Sequence, residues 1–450
     1  MKNIRFSTTQ IILLSFLAAI LLGSVLLSLP ISAADGVPVP FSDVLFTATT
    51  ATCVTGLVTL PTVSAWSPFG QAVILLLIQV GGLGVVTIMS GLMLLLNRQM
   101  GLGDRLLIQD AFNLNTMEGL SWFVKNVLIG TLLVEGVGAA LYMPVFVPEF
   151  GLRGVWISVF NAVSAFCNAG MDIIGETSLC DYATNPLVNL VTSGLIILGG
   201  LGYIVWWDIL RVFRRPAAQR RHGFRYLTLH SKIALSVTAA LLLGGGLLFF
   251  VFEYSNPLTI GELSWWDKVQ VALFQSVTTR TAGFVSVPQE NLTNASAVVS
   301  LLLMLVGGSP VGTAGGIKTV TVAVLFCSAL ATIRNRNDAS LFGRRVSESA
   351  VKKALAVVVA FLTICLTSTI LLLSVSDAPA LDVVYETFSA SATVGLSRNL
   401  TSGLNLWGKM VIIVTMYFGR VGPISLAVAL GSKREHQSIL SEPVEEISIG

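Results

Sequence analysis

The sequence is organised around Thr52-Cys53-Val54-Thr55-Gly56 and three related stretches that follow it along the chain. The four closing glycines recur at intervals of 114, 113 and 112 residues, and a large apolar residue follows each of them. A period this regular over the whole chain predicts four copies of one structural unit. We call these four segments the glycine stretches. The other three are Phe166-Cys167-Asn168-Ala169-Gly170, Thr279-Arg280-Thr281-Ala282-Gly283 and Ser391-Ala392-Thr393-Val394-Gly395.

The composition excludes a soluble domain. Of the 450 residues, 54% are hydrophobic and only 11% are charged, with a mean hydropathy of +0.81; soluble proteins carry about 25% charged residues. A helix needs about 20 apolar residues to cross a membrane. Eight runs meet that length, at residues 8–29, 70–96, 122–147, 186–212, 230–252, 295–331, 350–375 and 405–431.

A short apolar segment precedes each glycine stretch. Ten helical residues cover only about 15 Å, so these segments are predicted to be re-entrant helices buried in protein or lining water. They are Phe41–Thr50, Arg153–Phe166, Trp265–Thr279 and Leu381–Ser391. The predicted fold is an all-α integral membrane protein of four tandem helix–pore-loop–helix repeats, with eight transmembrane helices and four re-entrant pore helices around one pseudo-four-fold pore. The predicted repeats span residues 1–100, 101–214, 215–337 and 338–450.

The basic residues predict the orientation. Twenty of the 27 Lys and Arg flank the N-terminus, the connectors between repeats or the C-terminus. By the positive-inside rule, both termini and all three connectors are expected in the cytoplasm. The first apolar run, preceded by Lys2 and Arg5, also matches a cleaved signal peptide. Cleavage would leave an odd number of crossings, so we favour a retained first helix.

The glycine stretches suit the binding of a dehydrated monovalent cation. Rings of backbone carbonyls can replace its hydration shell without adding net charge, and glycine permits the backbone conformations that aim several carbonyls at one axis. The C-terminal ends of the preceding helices would also favour a cation over an anion. The predicted potassium-binding residues are Val54, Thr55, Gly56, Asn168, Ala169, Gly170, Thr281, Ala282, Gly283, Thr393, Val394 and Gly395, and no other metal site is expected.

The sixth apolar run contains five glycines and a proline within ten residues, 307–316. Such residues do not remain helical, so this crossing is predicted to be broken by an unwound loop that faces a water-filled cavity. The loop is expected to gate the pathway, although a static kink without a gating role is the alternative. The predicted gate consists of Gly307, Gly308, Ser309, Pro310, Gly312, Thr313, Gly315, Gly316, Lys318 and Arg420. The similar sequences Gly81-Gly82-Leu83-Gly84 and Gly199-Gly200-Leu201-Gly202 are interpreted as helix-packing sites.

Three basic residues lie where the membrane is expected. A cation at midplane usually faces the protein interior and finds partners. We expect the Arg420 guanidinium to bond carbonyls of the loop and to form an electrostatic barrier, or, in the simpler alternative, only to satisfy frayed carbonyls. Lys318 is expected to cap a carbonyl or to extend toward the interface. Arg280 is expected to cap the end of its own pore helix.

No enzymatic centre is predicted. The five cysteines show no metal-ligand spacing. The three histidines form no triad or metal pattern, and the sequence contains no phosphate-binding glycine–lysine loop. The chain is therefore not expected to be an enzyme, to hydrolyse ATP or to bind nucleic acid.

The residues at the glycine stretches resemble the selectivity filters of the Trk/Ktr/HKT superfamily of potassium transporters. The segments that carry the resemblance are 49–57, 274–284 and 387–397. The resemblance covers the whole chain and is greatest to the membrane subunit of bacterial Ktr systems. It implies sodium-promoted potassium uptake across the bacterial inner membrane, a homodimer, and a cytoplasmic ring of RCK-type, KtrA-like nucleotide-binding subunits that would carry ATP or ADP. It also implies that loop 307–316 and Arg420 form the gate. Gly56 matches the potassium-preferring pattern, whereas Asn168 departs from the Val or Thr of the other stretches.

The sequence leaves two alternative functions. A sodium or poorly selective cation pathway of the same fold is the nearest alternative. An alternating-access symporter of organic solutes usually has inverted halves with two broken helices, whereas these repeats run in parallel and only one broken helix is predicted.

Overall fold

The computed structural model describes residues 7–96, 101–112, 119–216, 223–336 and 338–422, and these are mostly helical. One two-stranded antiparallel hairpin, which the all-α prediction did not include, pairs β1 (Ser340–Leu341) with β2 (Arg344–Arg345). The helices are α1 (Thr8–Leu27), α2 (Phe41–Cys53), α3 (Thr62–Ala65), α4 (Pro68–Leu83), α5 (Val85–Leu95), α6 (Leu102–Phe112), α7 (Leu120–Phe150), α8 (Leu152–Cys167), α9 (Pro186–Leu201), α10 (Tyr203–Phe213), α11 (Gly223–Tyr226), α12 (Leu229–Glu253), α13 (Trp265–Thr278), α14 (Asn294–Leu305), α15 (Thr319–Ile333), α16 (Glu348–Val375), α17 (Ala380–Ala392) and α18 (Leu406–Val421).

Four helices of the described ranges are each long and apolar enough to cross a membrane. They are α1, α7, α12 and α16, and each lies at the start of one predicted repeat. Their starts follow ordinary capping chemistry. Ser7 forms a capping box with Gln10, for example, and Thr228 accepts from the backbone N–H of Ser231.

Two predicted crossings are sharply bent. Helices α4 and α5 meet at 95° around Gly84, and α9 and α10 meet at 98° around Gly202. Both glycines have φ +83° with an extended ψ, a conformation that cannot continue a helix and that other residues rarely adopt. The prediction that only one helix in the chain is broken was therefore wrong.

Of the two remaining predicted crossings, the one at 295–331 is interrupted, and the one at 405–431 is described only in part. Between α14 and α15 no helix forms from Val306 to Lys318. Helix α18 ends at Val421, where Gly422 has φ +91°, and residues 423–431 of the predicted crossing lie outside the described residues. By length and composition the described helices give four spans, or six if each bent pair counts as one. The organisation into eight crossings remains a prediction.

The four predicted re-entrant helices are α2, α8, α13 and α17, and each is largely buried. Each packs against the long helix that precedes it, and α2 also packs against α4 and α18. The last helix thus meets the first part of the chain. An ion pair between Lys409 of α18 and Asp43 of α2, with an N–O distance of 2.5 Å, joins them. The Tyr417 hydroxyl also donates to the Leu13 carbonyl at 2.9 Å.

Candidate functional site

The four glycine stretches share one unusual backbone conformation. The residue two positions before each glycine has a positive φ although none is a glycine, and the glycine itself also has a positive φ. The residue between them is not among the positive-φ positions. Alternation of this kind turns successive carbonyl groups toward one side of the chain. The φ values are 55° and 95° at Val54 and Gly56, 60° and 66° at Asn168 and Gly170, 62° and 83° at Thr281 and Gly283, and 51° and 96° at Thr393 and Gly395.

The four stretches meet in a closed ring. A Cβ placed on Gly170 would lie 2.5 Å from the carbonyl oxygen of Ala282. The same relation, with a similarly close approach, runs around the whole ring: Gly56 meets Ala169 O, Gly283 meets Val394 O, and Gly395 meets Thr55 O, which closes the circle. No larger residue fits at these four positions. The residue before each glycine therefore places its carbonyl against the next stretch, and four such carbonyls surround one axis.

The ends of the pore helices support this ring. In three of them the residue just before the glycine bonds back five residues across the helix end, as in the 2.9 Å bond from Thr55 N to Thr50 O. Equivalent bonds join Ala169 to Ser164 and Val394 to Ser389. Helix α13 ends differently, because Ala282 N and Gly283 N both bond Thr278 O. All four helices direct their partially negative C-terminal ends at the ring.

A hydroxyl in each pore helix ties down the backbone at or just after the glycine. The Gly56 N–H donates to Thr50 Oγ1 at 3.0 Å, and the Gly395 N–H donates to Ser389 Oγ at 3.1 Å. In the other two stretches the hydroxyl donates to the carbonyl of the residue after the glycine: Ser164 Oγ to Met171 O and Thr278 Oγ1 to Phe284 O. Sequence reasoning missed these four residues. The signal was a hydroxyl five or six positions before each glycine.

Loop 307–316 contacts the glycine stretches at residues that precede the ring glycines. Thr313 Oγ1 donates to the carbonyl of Phe166 at 3.0 Å and lies 3.2 Å from Asn168 Oδ1. A Cβ on Gly307 would lie 3.1 Å from Thr281 Cγ2, and one on Gly315 would strike Thr393 Oγ1. The loop therefore touches three of the four glycine stretches.

The broken end of α9 holds the loop in place. Ser309 N donates to Gly200 O at 2.8 Å, and Thr313 N donates to Gly199 O at 3.1 Å. These carbonyls are free because α9 stops at Gly202. The Gly199–Gly200 pair, which was interpreted as a packing site, thus also binds the loop.

Arg420 joins the loop to the bend of α4. Its guanidinium donates to Thr313 O at 2.6 Å, to Gly81 O at 2.5 Å and to Gly82 O at 3.3 Å. Gly81 in turn lies against the carbonyl of Thr52, in the first glycine stretch. Through Gly81, Arg420 therefore links the loop to the first glycine stretch. The loop contacts described above involve only the other three stretches.

The other two basic residues also bond the loop. Lys318 Nζ donates to Ala314 O at 2.6 Å, which is the carbonyl cap expected of it. The Arg280 guanidinium donates to Gly307 O at 2.7 Å, so its bond goes to the first residue of the loop and not to its own helix end. The expected role of Arg280 as a pore-helix cap was wrong, because the loop carbonyl, distant in sequence, lies within its reach.

A cavity of about 540 Å³ opens on the opposite side of the ring. All four ring glycines line it, together with at least one residue within the two positions after each of them. The ring therefore separates this cavity from the loop. All twelve predicted potassium-binding residues are buried at this boundary. Of the predicted gate residues, Gly307, Gly308, Ser309, Thr313 and Gly315 are buried, and Pro310, Gly312, Gly316, Lys318 and Arg420 are partly buried.

The arrangement can coordinate a cation through carbonyl oxygens and offers no centre for bond-making chemistry. Within the described ranges, no group of three or more His, Cys, Asp or Glu could hold a metal ion. The five cysteines are all free.

Comparison with known proteins decides the family. The family profile described as "Cation transport protein" (TrkH) matches residues 4–440. The chain belongs to this family of cation transporters. It is therefore a multi-pass membrane protein and not an enzyme. It is similar to the "Potassium/sodium uptake protein NtpJ" of Enterococcus hirae, with 39% identity over 99% of this chain and 98% of the relative.

Two further comparisons agree. The "Ktr system potassium uptake protein B" of Bacillus subtilis is 38% identical over all of this chain and 98% of its own length. The crystal structure of the potassium transporter TrkH from Vibrio parahaemolyticus has the same fold. It superposes with a TM-score of 0.75 at 16% identity and covers 95% of this chain and 86% of that one.

Proposed function

We propose that this chain is the potassium-selective, ion-translocating subunit of a bacterial uptake system, with channel-like flux through the ring of four glycines. The observation that carries the proposal is the closed circle of contacts in which each ring glycine meets the carbonyl before the next one. Four such carbonyls can replace part of the hydration shell of a cation. The names of the two relatives described above, one for potassium and one for potassium and sodium, support these ions as the cargo.

We further propose that loop 307–316, Lys318 and Arg420 form the gate. The loop contacts three of the four glycine stretches, and Arg420 bonds Gly81, whose backbone lies against Thr52 of the first stretch. A cation leaving the ring on the side of the loop would have to pass them, and the guanidinium charge would oppose it. Displacement of the loop would remove both the steric and the electrostatic barrier.

The wider assembly is also a proposal. The four repeats, with the boundaries given above, would place both termini in the cytoplasm of a bacterial inner-membrane protein. The "Ktr system" name of the Bacillus relative supports a companion subunit, which we propose to be an RCK-type ring that binds ATP or ADP below a homodimer. The basic segments Arg211–Arg225 and Arg334–Arg345 would face that ring, or anionic lipid in the simpler alternative. Promotion by sodium belongs to the same proposal.

The second candidate is a sodium or non-selective monovalent cation transporter, which the "potassium/sodium" name of the Enterococcus relative favours. Uptake of rubidium into proteoliposomes, with potassium or sodium as competitor, separates the two. Potassium is expected to compete at least tenfold better than sodium. Gly56→Ser is expected to reduce that preference, because the added side chain would strike the Ala169 carbonyl. Equal competition by the two ions in the unmodified protein would refute potassium selectivity.

A further inference from the structure

The cavity above the ring carries features that the filter and the gate do not use. Its volume of about 540 Å³ could hold roughly 18 waters at about 30 Å³ each, which is enough for a hydrated cation. It touches all four ring glycines. An ion that reaches the ring from this side must therefore pass through the cavity.

The charged groups that line the cavity are all acidic. Among the described residues of its wall, Asp172, Glu176 and Glu290 are carboxylic acids, and neither Lys nor Arg is present. The nearby Arg398 is engaged elsewhere. Its Nε donates to Asp382 Oδ1 at 2.7 Å, and its other nitrogens donate to backbone carbonyls. A cleft lined by one sign of charge concentrates the opposite ion.

Asp172 is the carboxylate nearest to the ring in sequence, two positions after Gly170. The other stretches carry Val58, Val285 and Ser397 at the matching position, so this level of the pathway has a charge in only one quadrant. The side chain is 9% exposed, yet it lines the cavity.

The carboxylate of Asp172 is held in place by its own loop. Ser178 Oγ donates to Asp172 Oδ2 at 2.5 Å, and Ile174 N donates to Oδ1 at 3.4 Å. Ser178 has φ +57°, a conformation that residues other than glycine rarely adopt. Each carboxylate oxygen keeps a further lone pair for a ligand.

A second and independent observation lies in the same cavity wall, at Thr59. Its side chain is 6% exposed and lines the same wall. Its Oγ1 has no hydrogen-bond partner among the described residues. Buried hydroxyls nearly always have a partner, and a cation or its hydration water would supply one.

We propose that Asp172 and the hydroxyl-bearing wall that includes Thr59 form an external cation site, where a partly hydrated monovalent cation waits before it enters the ring of glycines. The site rests on the proposed function, since its cargo is the ion that the ring conducts. Its role is to raise the local concentration of that ion and so to lower the KM of uptake.

The experiment measures the KM of rubidium uptake into proteoliposomes at one fixed external pH of about 7.5. Asp172→Asn is expected to raise KM about fivefold, with kcat nearly constant. Glu262→Gln is the matched control: it removes an exposed carboxylate that does not line the cavity, and KM is expected to stay unchanged.

A second variant protects the test against misfolding of the first. Thr59→Val keeps the Asp172 carboxylate but removes the buried hydroxyl that has no partner among the described residues, so KM is expected to rise. An unchanged KM in Asp172→Asn, or in Thr59→Val, would overturn the external site while uptake itself continued. An unmodified protein without any rubidium uptake would instead overturn the proposed function.

Discussion

Replacing Arg420 with Gln is expected to release loop 307–316 and to increase resting potassium flux. The guanidinium makes two short bonds, to Thr313 O at 2.6 Å and to Gly81 O at 2.5 Å, and one longer bond to Gly82 O. A hydrogen bond from a charged group contributes about 1.5–3 kcal/mol. Displacement of the loop breaks the bond to Thr313 O, whereas the bond to Gly81 O can persist. Arg420 therefore contributes about 1.5–3 kcal/mol to the arrangement with the loop in place.

Loss of this contribution multiplies the population with a displaced loop by about 10 to 100, since 1.4 kcal/mol corresponds to a factor of ten. Because the bonds join the loop to the bend of α4, the loss acts on the barrier and not on the ring carbonyls. The measured flux is expected to rise at least tenfold, with the competition between potassium and sodium unchanged.

The assay is rubidium uptake into proteoliposomes that contain the purified chain without any cytoplasmic partner. Arg420→Lys is an informative comparison, because it keeps the charge but cannot reproduce the forked geometry of the guanidinium, so an intermediate flux is expected. Val414→Ala, at an exposed position of the same helix, serves as the matched control and is expected to leave flux unchanged. If Arg420→Gln elutes as a folded protein with the flux and potassium affinity of the unmodified chain, the barrier role of Arg420 is refuted.

Two further predictions test the ring and its closure. Gly283→Ala is expected to reduce rubidium flux by more than tenfold, because its Cβ would strike the Val394 carbonyl at a backbone φ of +83°. Gly244→Ala is the control and is expected to retain full flux, because nothing lies within 4 Å of the added Cβ. Equal flux in the two variants would contradict the ring geometry. Lys409→Met is expected to destabilise the protein by about 3–5 kcal/mol, because it leaves the buried Asp43 carboxylate without its partner. Thermal unfolding in detergent measures this loss, and the double variant with Asp43→Asn is expected to recover part of it. A single variant as stable as the unmodified chain would show that the ion pair does not hold α18 to α2.

The sequence predicted the positions of the functional segments well. The four pore helices begin within one residue of their predicted starts and end within three of their predicted ends. The non-helical stretch from Val306 to Lys318 covers the predicted loop 307–316. These features are local: a short apolar segment before a glycine, and a run of five glycines and a proline, have few ways to fold in an apolar setting.

The bends at Gly84 and Gly202 were not predicted, and the reason is physical. The apolar pattern continues unchanged across both glycines, so hydropathy indicates one straight crossing. Whether a glycine stays helical or adopts a positive φ depends on what packs against it. At Gly202 a Cβ would lie 2.5 Å from the carbonyl of Pro310, a contact that comes from the distant loop.

The sequence by itself determined that the chain spans a membrane, that four glycine stretches recur in phase, and that one crossing is interrupted. Composition, period and helix propensity are properties of neighbouring residues and need no fold. Only the tertiary structure decided that the carbonyls before the glycines close into a ring, that Arg280 and Arg420 bond the loop at Gly307 and Thr313, and that a cavity with Asp172 in its wall lies above the ring. Each of these joins residues about 27 to 340 positions apart, and contacts over such separations exist only once the helices have packed.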